Sequence, residues 1–166
     1  CGNFERASSI LAKMKKGEYI GRNGPIRPDT ISFNSVLSAC RDPKMAEEIL
    51  AEMRSSRRDR YRFFTPTSIT YTNAITVCRR SNPPDLERAK RFLDNAIRDG
   101  VRPNVYMYSA AIWTAERCGN SEAALSFLAQ MQSSSPSQAC RPNAIAYDGV
   151  LSILASQGRL KDILLV

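Results

Sequence analysis

Two sets of small polar residues recur along this chain at nearly fixed spacing. Asn34, Thr72, Ser109 and Asp148 form one set; Asp29, Thr67, Asn104 and Asn143 form the other. Their amide, hydroxyl and carboxylate groups suit hydrogen bonding to a flat edge that mixes donors and acceptors. Groups suited to making and breaking bonds are scarce. The 166 residues include no histidine, which removes the commonest general base, metal ligand and triad member. Five cysteines are present, none in a Cys-x-x-Cys arrangement, so a zinc site is not expected. Gly-rich phosphate loops and hydrolase or kinase signatures are missing as well. The expectation is a binding protein with no catalytic residue, no metal and no cofactor.

The two polar sets are held by a longer repeated phrase. It reads Arg27-Pro28-Asp29-Thr30-Ile31-Ser32-Phe33-Asn34 at its first appearance. Equivalent phrases begin at Thr65, Arg102 and Arg141. Their prolines, Pro28, Pro66, Pro103 and Pro142, lie 38, 37 and 39 residues apart, and the aromatics Phe33, Tyr71, Tyr108 and Tyr147 keep the same intervals. A fixed period of this length predicts a solenoid of stacked units. Between phrases there is room for two short helices. The first follows the aromatic, with apolar positions Tyr71, Ala74, Ile75 and Cys78, then Tyr108, Ala111, Ile112 and Ala115, then Tyr147, Val150, Leu151 and Leu154. The second carries Leu86, Ala89, Phe92, Leu93 and Ala96, and later Ala124, Phe127, Leu128 and Met131. Both follow the i, i+3, i+4, i+7 rule of an amphipathic helix. Asn82-Pro83-Pro84-Asp85 reads as an N-cap, two first-turn prolines and an acid, and Gly100 as a helix end. No period-2 alternation is sustained, so no strand is expected. The fold class is all-α, an α-α superhelix of paired antiparallel helices. Its expected organisation is a partial unit at 1–29, full units at 30–67, 68–104 and 105–143, and a partial unit at 144–166. Units of this kind bury their apolar stripes only against neighbours, so the chain reads as a fragment of a longer array.

The net charge is +8 with a pI near 9.5. Residues 1–104 hold 20 Lys and Arg against 12 Asp and Glu, while residues 105–166 hold four of each sign. A basic N-terminal part fits either a polyanionic partner or a solvated helix surface. Repeat-matched cysteines (Cys40 with Cys78, Cys1 with Cys118) read as small reduced core residues of an intracellular protein. No apolar run approaches the ~18 residues that span a membrane, so no membrane is expected as a partner.

The phrases Ile31-Ser32-Phe33-Asn34-Ser35-Val36-Leu37-Ser38-Ala39-Cys40, Ile69-Thr70-Tyr71-Thr72-Asn73-Ala74-Ile75 and Gly100-Val101-Arg102-Pro103-Asn104 resemble the pentatricopeptide repeat, and the resemblance covers essentially the whole chain. It implies a module that binds single-stranded RNA, one base per unit, read by two or three side chains. It implies that Asn34, Thr72, Ser109 and Asp148, one residue past each aromatic, and Asp29, Thr67, Asn104 and Asn143, one past each proline, face the bases. Helix capping would explain the same residue types equally well. The resemblance also implies that Ile31, Ile69, Tyr106 and Ile145 pack on base faces; packing at the unit junction is the other reading. It implies work on transcripts in mitochondria or plastids, with a protein-interaction scaffold as the competing function. Pairing a hydroxyl residue with Asn, as in Thr72 with Asn104 and Ser109 with Asn143, implies a preference for adenine; Asn34 with Thr67 leans towards a pyrimidine. The units here exceed the usual length of about 35 residues. The surplus is expected at 54–64, with Arg54, Arg57, Arg58, Arg60 and Arg62 as phosphate contacts or solvated loop, and at the serine run 133–137.

Overall fold

The computed structural model describes residues 2–22, 24–55, 64–133 and 140–159. Eight helices run through them: α1 (Gly2–Lys15), α2 (Thr30–Ala39), α3 (Pro43–Ser55), α4 (Ser68–Arg80), α5 (Leu86–Arg98), α6 (Val105–Arg117), α7 (Ser121–Ser133) and α8 (Ala144–Ser156). Most are 13 residues long, a length at which an isolated helix is marginal. Their stability therefore comes from the apolar stripes. Phe33, Tyr71, Ala74, Ile75, Cys78, Ala111, Ile112 and Ala115 are completely inaccessible, and Tyr108 almost so. The stripes of α5 and α7 are buried as expected. In α8 the pattern slips: Val150 and Leu154 are buried, but Tyr147 and Leu151 are only half-buried and Ile153 enters the core. Among the described residues α8 packs mainly against α6 and α7.

Packing is layered. The helices that follow each proline phrase stack on one another, α2 on α4, α4 on α6 and α6 on α8, and the others pack mainly against this row. We refer to this more closely packed row as the inner row. A recurring contact locks it. Arg80 Nη1 donates to the Ser38 carbonyl at 3.2 Å, Arg117 Nη1 to the Arg79 carbonyl at 2.9 Å, and Gln157 Nε2 to the Gly119 carbonyl at 2.8 Å. Each side chain thus reaches back to the C-terminal end of the preceding helix in the row, where carbonyls lack intrahelical partners.

Helix ends follow local chemistry. Gly100 has φ +76°; its N–H bonds Ile97 O at 3.0 Å and the next N–H, of Val101, bonds Ala96 O at 2.9 Å. This left-handed turn closes α5 as its glycine predicts. The start of α5 departs from the expectation. The N-cap is Asp85, which accepts from Arg88 N at 2.8 Å, not Asn82. A residue before proline avoids the helical region, so Pro83, preceding Pro84, cannot begin the helix. The expectation of no strand also needs correction. Ile20–Gly21 and Gly24–Pro25 pair antiparallel, with Ile20 opposite Pro25. Two residues per strand are too few to write an alternating pattern.

Candidate nucleic-acid interface

The proline phrase places three side chains at the start of each inner helix. Its last residue before the helix is the N-cap: Asp29 for α2, Thr67 for α4, Asn104 for α6 and Asn143 for α8. Their oxygens accept the backbone N–H of Ser32 (2.8 Å), Thr70 (3.4 Å), Met107 (3.0 Å) and Ala146 (3.1 Å). The capping reading is therefore correct for all four. Capping engages only part of each group. It occupies Oδ1 of Asn104 and Asn143, and each amide keeps two N–H donors. In Asp29 the Ser32 backbone and hydroxyl both bond Oδ1, and these bonds hold the carboxyl below its usual pKa.

The residues after the aromatics differ in exposure. Asp148 is exposed, Asn34 and Thr72 are half-buried, and Ser109 is only 7% exposed. Ser109 is thus sheltered where an accessible position was expected, although α4, which carries half-buried Thr72, also has row neighbours on both sides. Thr72 Oγ1 donates to Ser68 O at 2.8 Å, which leaves its lone pairs for an incoming donor. Asn34 Oδ1 is buried with no donor, alone in this among side-chain atoms of the described residues. A buried acceptor without a partner is costly.

The third set is the most exposed. Ile31 is 72% accessible, Ile69 62%, Tyr106 66% and Ile145 48%. None of the four is buried against a neighbouring helix among the described residues. Each lies beside an N-cap at the mouth of the inner row, so every proline phrase displays an apolar side chain next to polar ones.

Several basic residues serve the fold instead of a free surface. Arg54 Nε lies 2.9 Å from Asp99 Oδ2 and its Nη2 3.0 Å from Oδ1, and the hydroxyl of buried Tyr71 also bonds Asp99. Arg54 is therefore a contact between α3, α4 and the end of α5, not a phosphate ligand. Arg57, Arg58, Arg60 and Arg62 lie outside the described residues, as does the serine run beyond Ser133. Lys15 pairs with Glu52 at 2.6 Å and stands 5.3 Å over the Phe33 ring; Arg88 bridges Glu47 and Asp85. Local periodicity carries no signal for such long-range pairs. The last-turn Arg80 and Arg117 did recur visibly, but only as charge.

Burial shapes the cysteines among the described residues. Cys40, Cys78 and Cys140 are buried; Cys118 is exposed, which corrects its expected place in the core, and Cys1 is outside the described residues. Burial, reinforced by Asp85, pushes the Cys78 thiol up to about 12, and burial raises the other three. No group of three His, Cys, Asp or Glu that could hold a metal ion occurs among the described residues, and no helix there is long and apolar enough to cross a membrane.

The model of the pentatricopeptide repeat domain matches residues 21–80 and 91–157. The chain belongs to the pentatricopeptide repeat family. No curated protein sequence matches it. Among solved structures it is similar to the pentatricopeptide repeat protein PPR10 in complex with an 18-nt psaJ RNA element, at TM-score 0.71 and 19% identity over 96% of this chain. It is also similar to PPR10 from maize, at TM-score 0.65 and 22% identity over 95% of the chain. At this identity the likeness establishes the helical repeat fold. The chain spans about a fifth of the length of these relatives, 21% and 22%.

Proposed function

We propose that this pentatricopeptide repeat chain is a single-stranded RNA-binding module that reads bases along its inner row, with units at 30–67, 68–104 and 105–143. The observation that carries the reading is the exposed apolar set Ile31, Ile69, Tyr106 and Ile145, repeated in register beside two polar sets. A solvent-exposed apolar side chain next to hydrogen-bonding groups suits an unstacked base, which needs a surface for its face and partners for its edge. PPR10, similar in fold, has been solved with an RNA element bound.

Each base lies between neighbouring helices of the row, its edge met by a residue of one helix and the N-cap of the next. Thr72 with Asn104 offers hydroxyl lone pairs as acceptor and amide N–H groups as donors. Adenine answers with the N6 amino group as donor and a ring nitrogen as acceptor. Asn143 offers the same amide donors to the next base, beside a Ser109 that is only 7% exposed. Asn34 with Thr67 leans towards a pyrimidine, represented in the test below by uracil. The site preference reads U-A-A with the RNA 5′ end towards the N-terminus of the chain. The family implies organellar transcripts as targets, in processing, stability or translation.

The test is competition between RNAs that carry U-A-A, U-G-G or U-C-C at the site, repeated across a salt titration. U-A-A should compete best, and affinity should fall linearly on a log–log salt plot. Equal competition by all three means that the array holds backbone without reading bases. Absence of binding at every salt concentration favours a protein-binding scaffold.

A further inference from the structure

One turn deeper than the base-facing residues, the inner row presents Ser38, Thr76, Trp113 and Ser152, each four residues past Asn34, Thr72, Ser109 and Asp148. Three of these are small and turned inward on their own structure. Ser38 Oγ donates to Ser35 O at 2.8 Å, Thr76 Oγ1 to Thr72 O at 2.8 Å, and Ser152 Oγ reaches Glu116 Oε1 at 3.5 Å. The fourth is the chain's one tryptophan. Trp113, the largest side chain in the row, is half-buried. Its seat is Gly149 of α8. A Cβ built on Gly149 would lie 3.6 Å from Trp113 Cε2 and 3.7 Å from Cδ2. Those two atoms form the fused bond at the centre of the indole, so the ring lies within ordinary contact distance of this position, whose nearest neighbour is Ile112 Cγ2 at 2.8 Å. Trp113 packs beside Gly149 and Ile112 and is only half-buried, so part of the residue stays accessible.

The same helix face carries Tyr106, Ser109 and Trp113, at i, i+3 and i+7. Four residues separate Ser109 from Trp113, a rise of about 6 Å, within the span of one nucleotide. We propose that Trp113 is a further RNA-contacting residue, an aromatic plane on which a base stacks, that Ser38, Thr76 and Ser152 cannot supply in their units. The unit 105–143 then offers two aromatic side chains, Tyr106 and Trp113, and is the anchoring unit of the array. Stacking on a ring is indifferent to base identity, so Trp113 adds affinity and leaves base choice to Ser109 and Asn143. This inference rests on the RNA-binding reading above.

Because Trp113 is the sole tryptophan, its emission reports on one site. The chain is titrated with an end-labelled RNA carrying U-A-A, and label anisotropy and tryptophan emission are followed together. Emission should be quenched in step with the anisotropy rise. W113L, which keeps an apolar side chain against Gly149 but removes the ring, should lower affinity about tenfold, the size of one base–aromatic stack. W113F should retain most of it, and both variants are checked for parental helicity and melting. Should W113L prove unfolded, the emission of the unmodified chain still decides. RNA binding with unchanged emission, or full affinity in folded W113L, overturns the assignment of Trp113 and leaves the RNA-binding reading standing. Absence of any anisotropy change overturns both.

Discussion

At the start of α2, α4 and α6, two apolar residues stand two positions apart and meet opposite fates. Phe33, Tyr71 and Tyr108 are sealed at 0–1% exposure, while Ile31, Ile69 and Tyr106 stand 62–72% exposed. Two residues turn a helix by about 200°, so one set faces the seam between helices and the other faces solvent. Hydropathy does not separate them; Tyr occurs in both. What separates them is the helical phase of the stripe that follows. The seam explains the fold and needs only the buried set. An exposed apolar set kept in register has no structural use in the stack, and it is this surplus that points to a partner.

The comparison is broken most directly at the seam. Tyr71→Ala should cost roughly 3–5 kcal/mol, as for other buried aromatics, and the loss will appear as a lowered melting temperature. A chain melting at the parental temperature would contradict the burial of that ring. The next effect concerns the polar end of the same ring. Asp99→Ala removes the carboxylate shared by the Tyr71 hydroxyl and Arg54. Removing this hydrogen bond to a charged group should cost about 1–3 kcal/mol. Adding Tyr71→Phe should recover part of that loss, since the hydroxyl is then gone; a double-mutant cycle with no coupling would show that the contact is not energetically real.

Smaller again is the effect at the caps, which belong to both regions. Asn104→Ala removes the acceptor for Met107 N and should lower stability by about 1 kcal/mol. It should also erase the adenine preference of the unit 68–104. Asn104→Asp separates the two duties. It keeps the Oδ1 acceptor for the cap while exchanging amide donors for a carboxylate, so stability should hold and adenine preference should not. If stability and base choice fall together in Asn104→Asp, the cap alone explains this residue.

The sequence made the seam legible because a buried stripe is a local pattern: Tyr71, Ala74, Ile75 and Cys78 declare their face through spacing alone. Gly100 was legible for the same reason, since a left-handed turn asks for one residue type. Ser109 was not. Its burial is a fact of the stack and not of the helix. Asp99 and Arg54 are 45 positions apart, and nothing in either neighbourhood announces the other. Asn82 misled because a favoured capping residue stood before two prolines, and the restriction that Pro84 places on Pro83 outweighs the cap preference. The N-caps were legible as residue types but not as duties, because capping and base reading ask for the same side chains.

The smallest effect on stability is the sharpest test of the comparison. Ile69→Ser replaces a side chain that is 62% exposed and makes no contribution to the core, so its stability should stay within about 0.5 kcal/mol of the parent. Ser is a somewhat weaker helix former than a long aliphatic residue, but at the second position of α4 the intrahelical bonds have barely begun. RNA affinity should nonetheless fall, because the base opposite Thr72 and Asn104 loses the surface its face lies on. One such contact is worth about 1–3 kcal/mol when the side chain is aromatic, and an aliphatic one should sit at or below the lower end. Ile31→Ser and Ile145→Ser should behave alike, and Tyr106→Ser should lose more, since its ring offers the larger plane. Melting curves and RNA titrations of the four variants therefore give opposite orderings to those of the seam variants: little change in the first, a graded loss in the second. Should the exposed set prove to destabilise the chain while leaving RNA affinity intact, these residues belong to the seam after all, and the distinction between the two regions collapses.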